Sequence, residues 1–345
     1  TIADSMMVAL SMARSLTESW QNDLSKQLLL SSGNRDLVEA LYPVRADVDA
    51  QPGSNAWAVS GQFTQSGKPM LASDPHLQMM LPGIWYQNDL KAPGFHAAGV
   101  SIPGLPAVVI GHNDNIAWGM TNLQFDVQDL YLERADLGQG IALYGATAEP
   151  LNRMEEAIRV RGGAIMTLKL NATRHGPLIT EATPLNGQPY QVALRWKVAE
   201  PGGLNFALLA LNRAANWEQF RGALRGWTSP PQNFIYADTA GNIGYQVAGS
   251  LPKRLNHSGD VPVDGSSGNF EWDGSIPFDD LPSIYNPPSG RVITSNQNPF
   301  PADYKYRVNG TFAPPDRARQ IEARLSKKAK LNTDDNPATA NQYRI

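Results

Sequence analysis

Glycine and proline set the first constraint on this chain. Its 345 residues include 30 Gly and 26 Pro, about a sixth of the total. They are spread between short apolar runs. Long helices do not survive such punctuation, so the pattern calls for many short strands joined by turns. Helical spacing shows in only a few places. Met6, Met7, Leu10, Ala13 and Leu16 recur at three- and four-residue intervals, and Leu24, Leu28 and Leu29 continue that face, which predicts a helix over 4–31. Residues 32–53 are polar and carry Pro and Gly, and read as a linker. From 54 onward short strands dominate, beginning with Ala56–Val59 and then Lys68–Ser73. Asn216, with Gln219 three residues on, predicts an N-cap for a helix to about Arg225, and another helix is expected over 316–330. No internal repeat appears. Strands with helices at intervals indicate an α+β fold rather than a βαβ series. The length allows about two domains or one large one.

Composition narrows the function classes. The net charge is −3 and offers no basic field for a nucleic acid backbone. No run of 18 apolar residues is present, so no membrane span is expected. There is no cysteine, which excludes disulfides, thiolate metal sites and a Cys nucleophile. No organic cofactor is expected either. Gly61 to Gly67-Lys68 is one residue too long for a phosphate loop, and Pro69 stands where Ser or Thr is needed. No Ser has Gly at both −2 and +2, and no HExxH occurs. His76, His96, His112, His175 and His257 are scattered, as hydrogen-bonded structural histidines usually are.

The stretch Ser54-Asn-Ala-Trp-Ala-Val-Ser-Gly61 resembles the start of the catalytic β chain in the penicillin acylase family of N-terminal-nucleophile hydrolases, which includes acyl-homoserine lactone acylases. Further matches follow in order: Ser73-Asp-Pro-His-Leu77, Gly111-His-Asn-Asp-Asn-Ile-Ala-Trp-Gly-Met-Thr-Asn122, Tyr236-Ala-Asp-Thr-Ala-Gly-Asn-Ile-Gly-Tyr245, Tyr285-Asn-Pro-Pro-Ser-Gly290, Ser295-Asn-Gln-Asn298 and Asp316-Arg317. Several multi-residue matches in sequence, over about 54–330, are far more specific than any lone glycine motif.

The resemblance implies a four-layer αββα sandwich with two antiparallel sheets, present here as a fragment. Residues 1–53 would be the end of the α-subunit region plus a processing linker, and 54–345 the first part of the catalytic β-subunit region. It further implies a precursor that cuts itself between Gly53 and Ser54. The freed Ser54 would be nucleophile, with its own α-amine as base; such an amine ordinarily titrates at about 7.7–8. Asn122, through its main-chain N–H, and Asn296, through its side-chain amide, would hold the oxyanion, with Asn298 as rival for the second role. His76 would hold the Ser54 hydroxyl and amine in line. Arg317 would support the active-site loops or contact substrate. Gly53 suits strain and close attack. His112 and Asn113 read as structural, and Trp57 and Trp118 as core.

Asp126 and Asp129 match two carboxylates of a calcium site in the family, which makes a structural Ca²⁺ an expectation. The acyl-pocket positions of the family fall on Leu77, Ile110, Met120 and Leu211, all without a stacking face, which favours an aliphatic acyl amide such as an acyl-homoserine lactone. A penicillin-type side chain is the alternative, and Gln232 at a pocket position weighs against a purely fatty group. Partners would be a small-molecule amide and the remaining segments of the precursor. The family usually works in the periplasm, so a periplasmic or secreted location is implied. Two rivals stay open: a binding domain whose Gly53–Ser54 bond is never cut, and a conventional serine hydrolase with His76 or His112 as base.

Overall fold

A computed structural model describes residues 2–31, 53–77, 81–185 and 187–332. The predicted linker over 32–53 lies outside them except for Gly53. Two antiparallel sheets stack at the centre. In the first, Ser54–Val59 lies between Met70–Pro75 and Arg291–Thr294. The second has seven strands, in the order Ser283–Tyr285, Ile243–Ala248, Gln232–Asp238, Ile116–Asn122, Ile110–Asn113, Phe95–Ser101 and Tyr86–Ala92.

The sequence of the first strand explains the layering. Side chains alternate across a strand, and every residue of Ser54–Val59 is buried. Ala56 and Ala58 face inward and pack with Ile235, Tyr245, Val247 and Val292 between the sheets. Their small side chains let the two sheets approach. Trp57 and Val59 face outward and meet Ile321 and Leu325, on the helix Asp316–Leu325. On the far side, Leu208–Arg213 and Trp217–Arg225 cover the seven-stranded sheet through Leu211, Phe220 and Leu224. Helix, sheet, sheet, helix is the arrangement expected. Trp118 joins this second core, fully buried, and Trp57 is 3% exposed.

Two local expectations change. The helix over 4–31 is two helices, α1 (Ile2–Thr17) and α2 (Trp20–Ser31). Gln128 Oε1 accepts the Ser19 and Trp20 main-chain N–H groups at 2.8 and 3.2 Å, which caps α2 and breaks the run. The packed face of α1 carries Val8 and Met12 beside Ala9 and Ala13, while Met6 and Met7 are exposed. The last helix stops at Leu325 rather than Lys330. The strand Ser54–Val59 is central in its sheet. Ser54 sits at its end, opposite Pro75 on one side, and the other neighbour joins only at Ala56. The Asn216 cap is as predicted, its side chain accepting the Gln219 N–H at 2.9 Å.

Candidate active site

Ser54 is 6% exposed and its main-chain N–H donates to Asn296 Oδ1 at 2.7 Å. Asn296 follows the strand Arg291–Thr294, which pairs with the Ser54 strand. Its backbone is left-handed, φ 67°, a region Asn tolerates better than most residues. That turn carries its side chain back over Ser54. Its Nδ2 donates to the Asn122 carbonyl at 2.8 Å. Asn122 ends the strand Ile116–Asn122, and its own side chain donates to the Leu16 carbonyl of α1 at 3.0 Å. Asn122 therefore faces Asn296 with its main chain. Asn298 is engaged elsewhere: it is exposed and its Oδ1 accepts the Phe300 N–H at 2.9 Å. The structure brings Asn296, not Asn298, to Ser54.

Arg317 ties this group together from the first turn of its helix. Nη1 donates to the Ser54 carbonyl at 2.8 Å and Asn55 Oδ1 at 2.9 Å. Nη2 donates to the Ser295 carbonyl at 2.6 Å and Asn296 Oδ1 at 3.0 Å. This supports the positioning reading of Arg317. A Cβ on Gly53 would lie 3.1 Å from the same Nη2, so a side chain there would crowd the guanidinium. His76 departs from expectation. Its main-chain N–H donates to the Gly53 carbonyl at 2.7 Å, while its ring Nε2 lies 2.7 Å from Asp74 Oδ2 and the side chain is 45% exposed. The contact with the Gly53–Ser54 junction runs through the backbone because Asp74, two residues back, draws the ring away.

A narrow cavity of about 50 Å³ lies beside Ser54 and Asn122. Leu77, Ile110 and Met120 line it as predicted. Leu211 does not: it is fully buried in the core under the seven-stranded sheet, because its helix turns that face inward. Gln232 lines the wall, and so do Met12 and Leu16 of α1 and three aromatic residues, Trp85, Phe206 and Trp227. The aromatic walls overturn the premise that the pocket has none. No sequence signal marked them, because the walls come from separate segments that only the fold assembles. His112 is exposed. The adjacent turn is held by Asn113, whose Oδ1 accepts the Asn115 and Ile116 N–H groups at 2.9 Å each.

Asp126 and Asp129 do meet, but around a guanidinium. Arg254 Nε donates to Asp129 Oδ1 and Oδ2 at 3.0 and 2.9 Å. Its Nη2 donates to the Asp126 carbonyl and to Asp126 Oδ2, both at 3.0 Å. Ser19 Oγ and the Gln128 N–H donate to Asp126 Oδ1, Asn309 Nδ2 to Asp126 Oδ2 and Trp272 Nε1 to Asp129 Oδ2. All four carboxylate oxygens thus face N–H or O–H donors. A calcium ion wants six to eight oxygens turned toward it, and these two carboxylates do not fit one. Burial pushes the Asp126 carboxyl up to about 6, against the pull of Arg254. Burial and the charges of Asp126 and Asp129 push Asp23 well above the usual carboxylate range. Among the described residues no group of three or more His, Cys, Asp or Glu could hold a metal ion, and no helix is long and apolar enough to cross a membrane.

Known proteins resemble this chain. Penicillin acylase 2 proenzyme of Pseudomonas sp. (strain SE83) is 35% identical over 306 residues, 87% of this chain and 39% of its own length. Acyl-homoserine lactone acylase QuiP of Pseudomonas aeruginosa is 34% identical over 281 residues, 78% of this chain and 33% of its own. The chain thus spans well under half the length of these curated relatives. The crystal structure of a thermostable penicillin G acylase from Alcaligenes faecalis superposes with a TM-score of 0.72 at 28% identity, covering 81% of this chain and 50% of that one. The fold is accordingly that of the N-terminal-nucleophile hydrolases. Residues 1–344 match the family described as Penicillin amidase, and the chain belongs to that family.

Proposed function

We propose that this chain is the processing and acyl-binding part of a self-cutting acylase, with Ser54 as nucleophile. The observation that carries the reading is the seat of Ser54: at a strand end, on an apolar cavity, with its N–H on Asn296. In the uncut chain the Ser54 hydroxyl attacks the Gly53 carbonyl carbon. That carbonyl already accepts the His76 N–H, which favours charge developing on its oxygen. The C–O bond forms first and gives a tetrahedral oxyanion; the Gly53–Ser54 C–N bond then breaks as the hydroxyl proton passes to the leaving amine, and water hydrolyses the resulting ester. The new α-amine then accepts the hydroxyl proton in each turnover, through one water, and the hydroxyl attacks the substrate amide.

The oxyanion of that step would be held by the Asn122 N–H and Asn296 Nδ2. An amide nitrogen carries two hydrogens. One is on the Asn122 carbonyl, and the second remains for the substrate. Such donors are each worth about 3–4 kcal/mol. The leaving amine takes a proton, and water clears the acyl-serine.

The acyl group is aliphatic in our reading. Met12, Leu16, Leu77, Ile110 and Met120 supply flexible apolar walls. The Trp227 ring is engaged by Phe206, stacked at 5.2 Å, and by Phe234, edge-on at 5.0 Å, so little of it is free to stack on a ligand. The aromatic walls themselves favour the second reading, a phenylacetyl group as on a β-lactam side chain. Comparing hydrolysis of octanoyl and phenylacetyl amides of one amine decides between them. Faster octanoyl cleavage is expected, and faster phenylacetyl cleavage selects the second reading.

A further inference from the structure

A chain of polar side chains runs through the apolar layer between the two sheets. Asn233 is at its centre. The strand Gln232–Asp238 turns Asn233, Ile235 and Ala237 to one face, and Ile235 and Ala237 pack in the intersheet core. Asn233 is thus an amide set among hydrocarbon, and it is fully buried. Its Oδ1 accepts the Tyr245 hydroxyl. Its Nδ2 donates to Thr121 Oγ1 at 3.1 Å and to the Asn122 carbonyl at 3.3 Å. Thr121 Oγ1 lies 2.9 Å from Thr294 Oγ1, on the strand that pairs with Ser54–Val59. Burial pushes the Tyr245 hydroxyl well above its ordinary pKa, so it keeps its proton and stays a donor. Burying these groups costs stability that an apolar residue would not forfeit, and full pairing only offsets that cost.

The network spans the two sheets where they carry the proposed oxyanion donors. Asn122 ends a strand of the seven-stranded sheet, and Asn296 follows a strand of the other. The Asn122 carbonyl accepts from both Asn296 Nδ2 and Asn233 Nδ2. The threonine pair ties the residue before Asn122 to the second residue before Asn296. Strand pairing alone leaves the Asn122 N–H loose. The Leu123 N–H donates to the Pro231 carbonyl at 3.1 Å. Opposed residues alternate between bonded and non-bonded pairs, so the next pair, Asn122 with Gln232, is non-bonded and the Asn122 N–H points away from that strand. On the other side, Ile110–Asn113 pairs only at Gly111–Trp118 and His112–Ala117. What grips the backbone at Asn122 is therefore the Asn233 amide and its partners.

We infer that Asn233, held by Tyr245 and coupled through Thr121 to Thr294, is a positioning residue that sets the Asn122 N–H against Asn296 Nδ2. Asn233 is not among the residues that line the cavity, and it acts through Asn122. The inference rests on the reading of Ser54 as nucleophile with Asn122 and Asn296 as oxyanion donors. Donors of this kind work by being placed in advance where charge develops. The charge exists only in the transition state, so misplacing them lowers kcat and leaves KM alone.

The test uses the full-length protein and three variants. Tyr245→Phe removes one hydroxyl and keeps the ring in the core. Thr294→Val removes the other hydroxyl and keeps the shape, while Thr294→Ser keeps the hydroxyl and loses a methyl group. Intact mass reports the cut before Ser54, and the melting temperature reports the fold. kcat and KM are measured per cut chain on whichever of the octanoyl and phenylacetyl amides the wild type cleaves faster. All three variants should be cut. Tyr245→Phe and Thr294→Val should each lower kcat about tenfold, the worth of one or two neutral hydrogen bonds, with KM close to wild type. Thr294→Ser should retain kcat even though its melting temperature falls, which separates positioning from packing. Unchanged kcat in Tyr245→Phe and Thr294→Val overturns the inference. A kcat loss in Thr294→Ser as large as in Thr294→Val assigns the effect to packing and overturns it too. Variants left uncut beside a cut wild type place the network in folding or self-cutting and also overturn it. An uncut wild type fails the Ser54 reading first, and this inference with it.

Discussion

Asn296 Oδ1 accepts the Ser54 main-chain N–H at 2.7 Å across 242 positions of sequence. The same oxygen accepts Arg317 Nη2 at 3.0 Å, so one side-chain carbonyl is fixed from two directions. Its Nδ2 is thereby aimed at the strand that ends in Asn122. Replacing Asn296 by Ala is expected to lower kcat about 100- to 1,000-fold, as loss of one oxyanion donor does. Asn298→Ala, which touches only a turn, should leave kcat near wild type. Steady-state kinetics on a single amide substrate check both.

On the proposed mechanism, self-cutting depends on backbone placement at the junction. A Cβ at Gly53 would press on Arg317 at 3.1 Å, so Gly53→Val should slow the cut and leave precursor visible on a denaturing gel. His76 holds the Gly53 carbonyl through its main chain, so His76→Ala should still be cut. Accumulated His76→Ala precursor would return the role to the ring.

The Arg254 guanidinium already bridges Asp126 and Asp129. Gly259 closes over it with φ 87°, and a Cβ there would lie 2.5 Å from Arg254 Nε, so the loop is shaped around this ion pair. Chelator should therefore leave the melting temperature of the wild-type protein unchanged. Arg254→Ala strands buried carboxylates, a change that costs about 3–5 kcal/mol for such pairs, and should lower the melting temperature markedly. A chelator-sensitive wild type contradicts this account of the site.

A second buried cluster makes stability depend on pH. His175 lies between Glu133, 2.7 Å from Nδ1, and Glu271, 2.9 Å from Nε2. Burial alone would lower its pKa, but the two carboxylates raise it above the ordinary value of 6.5. A raised histidine stabilises the fold fully below the unfolded value, and that stabilisation is lost as pH rises through the folded value. The gap in melting temperature between wild type and His175→Gln should shrink as the pH is raised from about 6 to 9. A gap that does not change with pH would show that His175 acts by packing on Tyr131, on which it stacks at 3.9 Å.

What the sequence made legible followed from how local the signal was. Ser54 and Asn296 belong to contiguous motifs whose order along the chain carries their meaning, and the fold brings them together. The alternation in Ala56-Trp57-Ala58-Val59 encodes two faces, and the structure uses both. The pocket was less legible. Leu211 is an apolar residue on a six-residue helix, and a helix that short gives no periodicity to tell a core face from a cavity face. Trp85, Phe206 and Trp227 reach the cavity from separate loops. Arg254 was invisible because nothing in its own sequence neighbourhood points to carboxylates 125 and 128 residues away.

The central claim is that the chain is cut before Ser54 and that the freed serine is the nucleophile. The direct measurement is the intact mass of the denatured full-length protein, wild type beside Ser54→Ala. The account predicts two pieces in the wild type, one beginning at Ser54, and a single uncut chain in the variant. A single uncut mass in both, from soluble folded protein, would remove the α-amine that the mechanism requires and contradict the account.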